Sequence, residues 1–231
     1  MIMKDMTELI KEYGYVTPEI AVKNGISKYK FYKYVRENDI EQVEHGIYIP
    51  QDEWVDELYV LHKRCPNAVF SHNEALYFYG LTDREPLVHT LTMYSGYNTH
   101  RLTADGRCKV YTVKKELLDV GKVFVKDNCG NEIPMYDLER TICDLVRSRS
   151  TIDIQEFIPA LKAYATRKDK DLNKLWKYSK LFRIQNVVRK YMEILLYQFL
   201  SVFGQELLSV IAFFATIQKY TCGLLAFSEI M

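Results

Sequence analysis

The chain has little cysteine and does not space it for chemistry. Its five cysteines, at positions 65, 108, 129, 143 and 222, form no C-x-x-C pair. That argues against a zinc site or a disulfide framework and for reduced thiols in a cytoplasm. Histidine is equally sparse, and positions 45, 62, 72, 89 and 100 contain no H-E-x-x-H or comparable ligand spacing. No glycine-rich phosphate loop occurs; Gly14, Gly25 and Gly46 read as caps and turns. Neither sign of charge dominates. With 31 Lys/Arg against 30 Asp/Glu, the net charge of +1 suits neither a histone-like binder nor an acidic mimic. Lys4, Asp5 and Glu8 come before any leader-like apolar run, so a signal peptide is not expected. The most apolar stretch, residues 199–217, carries Gln205 and Glu206 in its middle. A membrane helix needs about 20 predominantly apolar residues and tolerates charge poorly, so insertion is not expected.

What is present begins with helix grammar. Met6, Leu9, Ile10 and Tyr13 form one apolar stripe over residues 4–13, and Gly14 stops it. Thr17 is a good N-cap with Pro18 at the first helical position, and Ile20, Ala21 and Val22 point inward before Asn24-Gly25 ends that helix. Ser27 then caps a third helix on which Phe31, Tyr34 and Val35 share the buried side. Lys28, Tyr29, Lys30, Tyr32, Lys33 and Arg36 are left for solvent or a ligand. Residues 40–43 and 47–49 read as two short strands around Glu44-His45-Gly46. This is the order of a winged helix-turn-helix, with a recognition helix for the major groove and His45 at the wing tip, either near a phosphate or the minor groove or as a plain turn residue. Residues 1–50 hold seven Lys/Arg against eight Asp/Glu, so DNA affinity must come from placement: four of the seven cations lie between positions 28 and 36.

Beyond this domain (residues 1–52), a linking helix over 53–65 carries Trp54, Leu58 and Leu61 on one face. Ser71 and Glu74 have the S-x-x-E spacing of a capping box, with His72 inside it as a helix-start residue, and that helix closes at Gly80-Leu81-Thr82-Asp83. Strands are expected over 89–94, 109–113, 122–126 and 132–136, then helices over 138–148, 154–166 and 172–196. Strands grouped before helices predict an α+β fold: a winged helix-turn-helix, then a mixed domain over 53–196 with a small sheet and C-terminal helices.

Three short motifs occur in order. They are Gly46-Ile47-Tyr48 closing the wing, Phe70-Ser71-His72-x-x-Ala75-Leu76, and Tyr136-x-x-Glu139-Arg140-Thr141-x-x-Asp144-Leu145. Together they resemble the AbiEi-type antitoxins of type IV toxin–antitoxin, or abortive-infection (phage defence), systems, over residues 1–196. The resemblance implies an N-terminal domain that binds operator DNA and represses its own operon. It also implies a C-terminal domain that neutralises a nucleotidyltransferase-like toxin, in the prototype without a stable complex. Palindromic operators would place two copies side by side. A stand-alone winged-helix transcriptional regulator is the alternative.

No catalytic role, metal or cofactor is expected. Arg140 and Asp144 are i, i+4 neighbours suited to an ordinary helix ion pair, and Asp137 suits the cap. A remote alternative, the metal-dependent nuclease that follows a related N-terminal half in some proteins, needs convergent acids. Residues 147–190 instead contain twelve Lys/Arg and only four acids: Asp153, Glu156, Asp169 and Asp171. Arg167, Lys168, Lys170, Lys174, Lys177 and Lys180 form either a solvated helix face or the candidate antitoxin surface, facing an acidic partner or nucleic acid. Residues 197–231 fall outside the resemblance as an apolar tail expected to extend the last helix and pack.

Overall fold

The computed structural model describes residues 5–44, 46–50, 56–104 and 106–202. The expectations placed on His45, Trp54 and residues 203–231 lie outside the described residues. The fold is α+β: helices first, then a mixed sheet, then helices again. Two compact units divide it: Met1–Ala68 with Phe124–Pro134, and Val69–Val123 with Met135–Met231.

In the first unit, α1 (Met6–Tyr13) begins at Asp5, which forms a reciprocal capping box with Glu8, and buries Met6, Leu9 and Ile10. The side chain of Thr17 accepts from Ile20 N at the start of α2 (Pro18–Lys23). Val22, expected to point inward, is 48% exposed, since Ile20 and Ala21 already fill that side of so short a helix. Ser27 caps α3 (Lys28–Glu37), and Phe31 is fully buried. Strands β1 (Ile40–Glu44) and β2 (Ile47–Pro50) pair antiparallel, with a bulge between Gln42 and Glu44. Val16 and Tyr48 exchange backbone hydrogen bonds of 2.8 and 2.9 Å, so the α1–α2 connection adds a one-residue bridge to this hairpin. Phe31 meets Tyr48 edge-on at 5.2 Å, which joins α3 to the hairpin. α4 starts later than the expected 53–65: it spans Glu57–Arg64, with Asp56 accepting from Tyr59 N. Its Val60 packs with Tyr15, Ile47 and Ile49.

Five strands make the larger sheet: β3 (Val69–Phe70), β4 (His89–Tyr94), β5 (Cys108–Val113), β6 (Lys122–Lys126) and β7 (Glu132–Tyr136), in the order β5-β4-β3-β7-β6. β3 is antiparallel to β4 and parallel to β7, while β4 runs parallel to β5. The short helix α6 (His100–Thr103) lies in the crossover between β4 and β5. β3 is too short for any periodicity to announce it, yet it occupies the centre of the sheet and is wholly buried.

Helices α7 (Leu138–Arg147), α8 (Ile154–Thr166), α9 (Leu172–Leu181) and α10 (Gln185–Val202) follow. Asp137 caps α7 as expected, accepting from Arg140 N at 2.8 Å. Every residue from Leu138 to Val146 is buried, so α7 is the central helix of this unit. Its Leu138, Ile142, Leu145 and Val146 share a core with Phe157 and Leu161 of α8, Leu175 of α9, and Val188 and Met192 of α10. A single helix over 172–196 is not formed. Arg183 adopts φ +57°, Arg183 N donates to Lys180 O, and Ile184 N to Ser179 O. These are the paired bonds of a Schellman stop, built here without glycine. No helix among the described residues is long and apolar enough to cross a membrane.

Candidate functional site

The six α3 residues read as ligand-facing are all exposed: Lys28, Tyr29, Lys30, Tyr32, Lys33 and Arg36. Burial of Phe31 fixes the helix rotation, which turns this set outward. Tyr29, 73% exposed, sits at the N-terminal end of the helix. Tyr32 is held in place, its ring edge-on to Phe31 at 5.2 Å and to Tyr48 at 6.2 Å. Lys33 pairs with Glu37 at 3.9 Å, and Arg36 Nε donates to Tyr32 O at 3.2 Å. Such a face can neutralise phosphates and reach base edges.

The candidate antitoxin residues are not equivalent. Arg167 makes two hydrogen bonds to Asp169, at 2.8 and 2.7 Å, and donates to Tyr79 O. Lys170 Nζ donates to Arg167 O at 2.6 Å. Lys174 Nζ lies 3.0 Å from Asp137 Oδ2 and 3.8 Å from Glu139 Oε2. Burial lowers the Lys174 pKa, but hydrogen bonding and charge from Asp137 outweigh it and raise the pKa overall. Lys168, Lys177 and Lys180 remain exposed, with Lys180 Nζ 5.9 Å from the Trp176 ring. Half of the expected surface is therefore bound into the fold and half projects from it.

The Glu139-Arg140-Thr141-x-x-Asp144 motif forms the expected i, i+4 ion pair, and the whole motif is buried. Arg140 and Asp144 are 0% and 1% exposed, with Nε to Oδ2 at 2.9 Å. Arg140 Nη1 donates to Leu117 O and Val120 O, and the guanidinium lies between the rings of Tyr136 (4.0 Å) and Phe182 (4.2 Å). Arg147 takes the second oxygen of Asp144 at 2.6 Å. Glu139 accepts from Asp171 N at 2.9 Å, and burial raises its pKa.

The capping box of Ser71 and Glu74 is absent. α5 (Asn73–Phe78) begins at His72, whose side chain makes no cap bond. Glu74 Oε1 instead contacts His89 Nδ1 at 2.7 Å. Ser71 Oγ accepts from Thr92 Oγ1 at 2.8 Å and contacts His72 Nδ1 at 3.0 Å; His72 Nε2 contacts Ser148 Oγ at 3.0 Å. In the neutral ring one of these nitrogens donates and the other accepts, so the two serine hydroxyls between them hold both. His72 is 2% exposed, stacks on Tyr111 at 3.4 Å, and holds φ +49°. Burial lowers its pKa from 6.5 to about 4: Asp144 opposes the shift, and Arg147 and Arg140 add to it. The imidazole is neutral at physiological pH. Beside Tyr111 opens a cleft of about 400 Å³, lined from α5, the segment Arg84 to Val88, β4, β5 and α8.

No protein-family model matches this chain, and no curated protein matches it.

In the first unit, Asp56, Asp127 and Cys129 bring ligand atoms within 4.8 Å of one another, a grouping hidden in the sequence because Asp56 is about seventy residues from the other two. Asp56 spends Oδ1 on its cap and accepts from Asn131 Nδ2 through Oδ2 at 2.7 Å. Asp127 Oδ1 accepts from Cys129 N and Asn131 N, both at 2.9 Å. Burial, then the facing Asp56, pushes the Asp127 carboxyl up from 3.8 to about 6. Two carboxylates and a thiol can take a divalent cation, and they can equally share a proton.

Proposed function

We propose that this chain is a DNA-binding regulator of the antitoxin kind: a winged helix-turn-helix that reads operator DNA through α3 and represses its own operon. The observation that carries the reading is the shared exposure of Lys28, Tyr29, Lys30, Tyr32, Lys33 and Arg36 on one helix whose opposite side is anchored by Phe31. A basic, aromatic face followed by a two-stranded hairpin suits the major groove with a wing alongside. The second unit opposes a nucleotidyltransferase-like toxin. Support for that half is the run of motifs resembling AbiEi-type antitoxins, together with exposed Lys168, Lys177 and Lys180.

The test is a gel-shift titration of the full chain on the DNA upstream of its gene across several salt concentrations. Lys30→Ala combined with Lys33→Ala is expected to weaken binding and flatten the salt dependence by about 0.9 for each phosphate that is no longer neutralised. Unchanged affinity and slope would refute the α3 assignment. Co-expression with the adjacent toxin gene separates the two halves. The same variant should lose repression but keep growth rescue, whereas a stand-alone regulator would rescue nothing.

A further inference from the structure

We propose that the cleft beside Tyr111 binds a nucleotide. One wall is rigid. Tyr111 lies flat on His72, with 9° between the rings, and both nitrogens of that histidine are held, by Ser71 and Ser148. His72 also keeps a backbone conformation that a non-glycine residue rarely adopts, and such geometry persists only where its surroundings enforce it. The Tyr111 ring is thus packed against a fixed partner.

The lining combines three chemistries. Lys109 Nζ stands 5.1 Å over the Tyr111 ring, and Arg84 is 64% exposed with a long 3.8 Å contact to Glu156. These cations suit a phosphate. Asp153 uses Oδ1 on Gln155 N, and its second oxygen and the exposed Glu85 carboxylate are acceptors suited to ribose hydroxyls. At the lip, Leu87 is 99% exposed and Val88 40%, an apolar surface suited to the face of a base. Inorganic phosphate would leave both the apolar lip and the hydroxyl-accepting carboxylates unused. A fatty acid would leave those carboxylates unpaired. A nucleoside phosphate satisfies all three groups, and about 400 Å³ lies within the range of small-molecule sites. The lining includes no residue of α3, and the proposal stands whether or not α3 reads DNA.

The test uses the full chain and calorimetric titration with AMP, CMP, GMP, adenosine and inorganic phosphate. A mononucleotide is expected to bind, with adenosine and phosphate each at least about tenfold weaker. Lys109→Ala should weaken the mononucleotide about tenfold without shifting the thermal midpoint, since Lys109 is exposed. Leu87→Ser should weaken it through the base. The proposal is overturned if no mononucleotide binds at millimolar concentration, if phosphate binds as well as AMP, or if affinity survives both Lys109→Ala and Arg84→Ala.

Discussion

His72 Nε2 and Ser148 Oγ, 76 positions apart in the chain, lie 3.0 Å from each other and join the Phe70-Ser71-His72 segment to the end of α7. The bond is made by a neutral imidazole, and that has a measurable consequence. The folded-state pKa is about 4 against 6.5 for the free side chain, so between these values the unfolded chain binds more protons than the folded one. This contribution is complete above pH 6.5 and is lost as pH falls towards 4, amounting at most to something on the order of 3 kcal/mol. Urea unfolding should therefore show a midpoint that drops from neutral pH through about pH 5. His72→Gln should lower stability at neutral pH and flatten the drop. An equally steep pH profile in the variant would assign the effect to other groups.

Gly121 and Arg140 form a second sensitive pair. Gly121 has φ +77°, and a Cβ placed there would stand 2.6 Å from Arg140 Cβ. Gly121→Ala combines left-handed strain with a collision against a buried, ion-paired side chain, and is expected to cost about 2–4 kcal/mol. Gly130→Ala is the control: its φ is +86°, with nothing within 4 Å of the added carbon. Strain alone should cost about 1–2 kcal/mol there. Equal thermal shifts in the two variants would show that Arg140 yields.

Much of this architecture is legible in the sequence, and the failures share a cause. Alternation and turn residues located β4, β5, β6 and β7 to within a residue, and Asp137 marked the start of α7. Local signals failed where distant partners outbid them. Ser71 and Glu74 have the spacing of a capping box, but Thr92 and His89, brought in by β4, claim their side chains. The break at Arg183 went unread because its stop uses an arginine where glycine is the usual marker. The α3 face was legible because a helix sorts neighbours by angle. The cleft was not: Asn73, Arg84, Lys109 and Glu156 meet only after the chain has folded.

Lys174 and Lys177 differ by one helical turn and should differ in kind. Lys174→Ala removes the cation facing both Asp137 and Glu139, leaving two largely buried carboxylates with one positive neighbour fewer. About 1–2 kcal/mol of stability should be lost. Lys177→Ala and Lys180→Ala remove exposed charges and should leave the thermal midpoint within measurement error. If those two abolish growth rescue at unchanged stability, the antitoxin surface is the exposed half. Loss of rescue only in Lys174→Ala would trace the effect to folding.

Asp127 offers the opposite pH sign from His72. Its carboxyl is pushed up to about 6 from 3.8, so the folded state holds a proton that the unfolded state has released. The contribution is fully present below pH 3.8 and is lost as pH rises through about 6, which leaves the ionised pair with Asp56 a liability at neutral pH. Asp127→Asn keeps an oxygen to accept from Cys129 N and Asn131 N, and it gains an amide to donate towards Asp56. With solvent screening allowed for, it should stabilise the chain by about 1 kcal/mol at neutral pH and by nothing near pH 4. Measuring both at low and at millimolar divalent cation tests the alternative use of the pair. A wild-type chain that gains stability with added zinc while Asp127→Asn does not would show that the carboxylates and Cys129 take a metal in place of the shared proton.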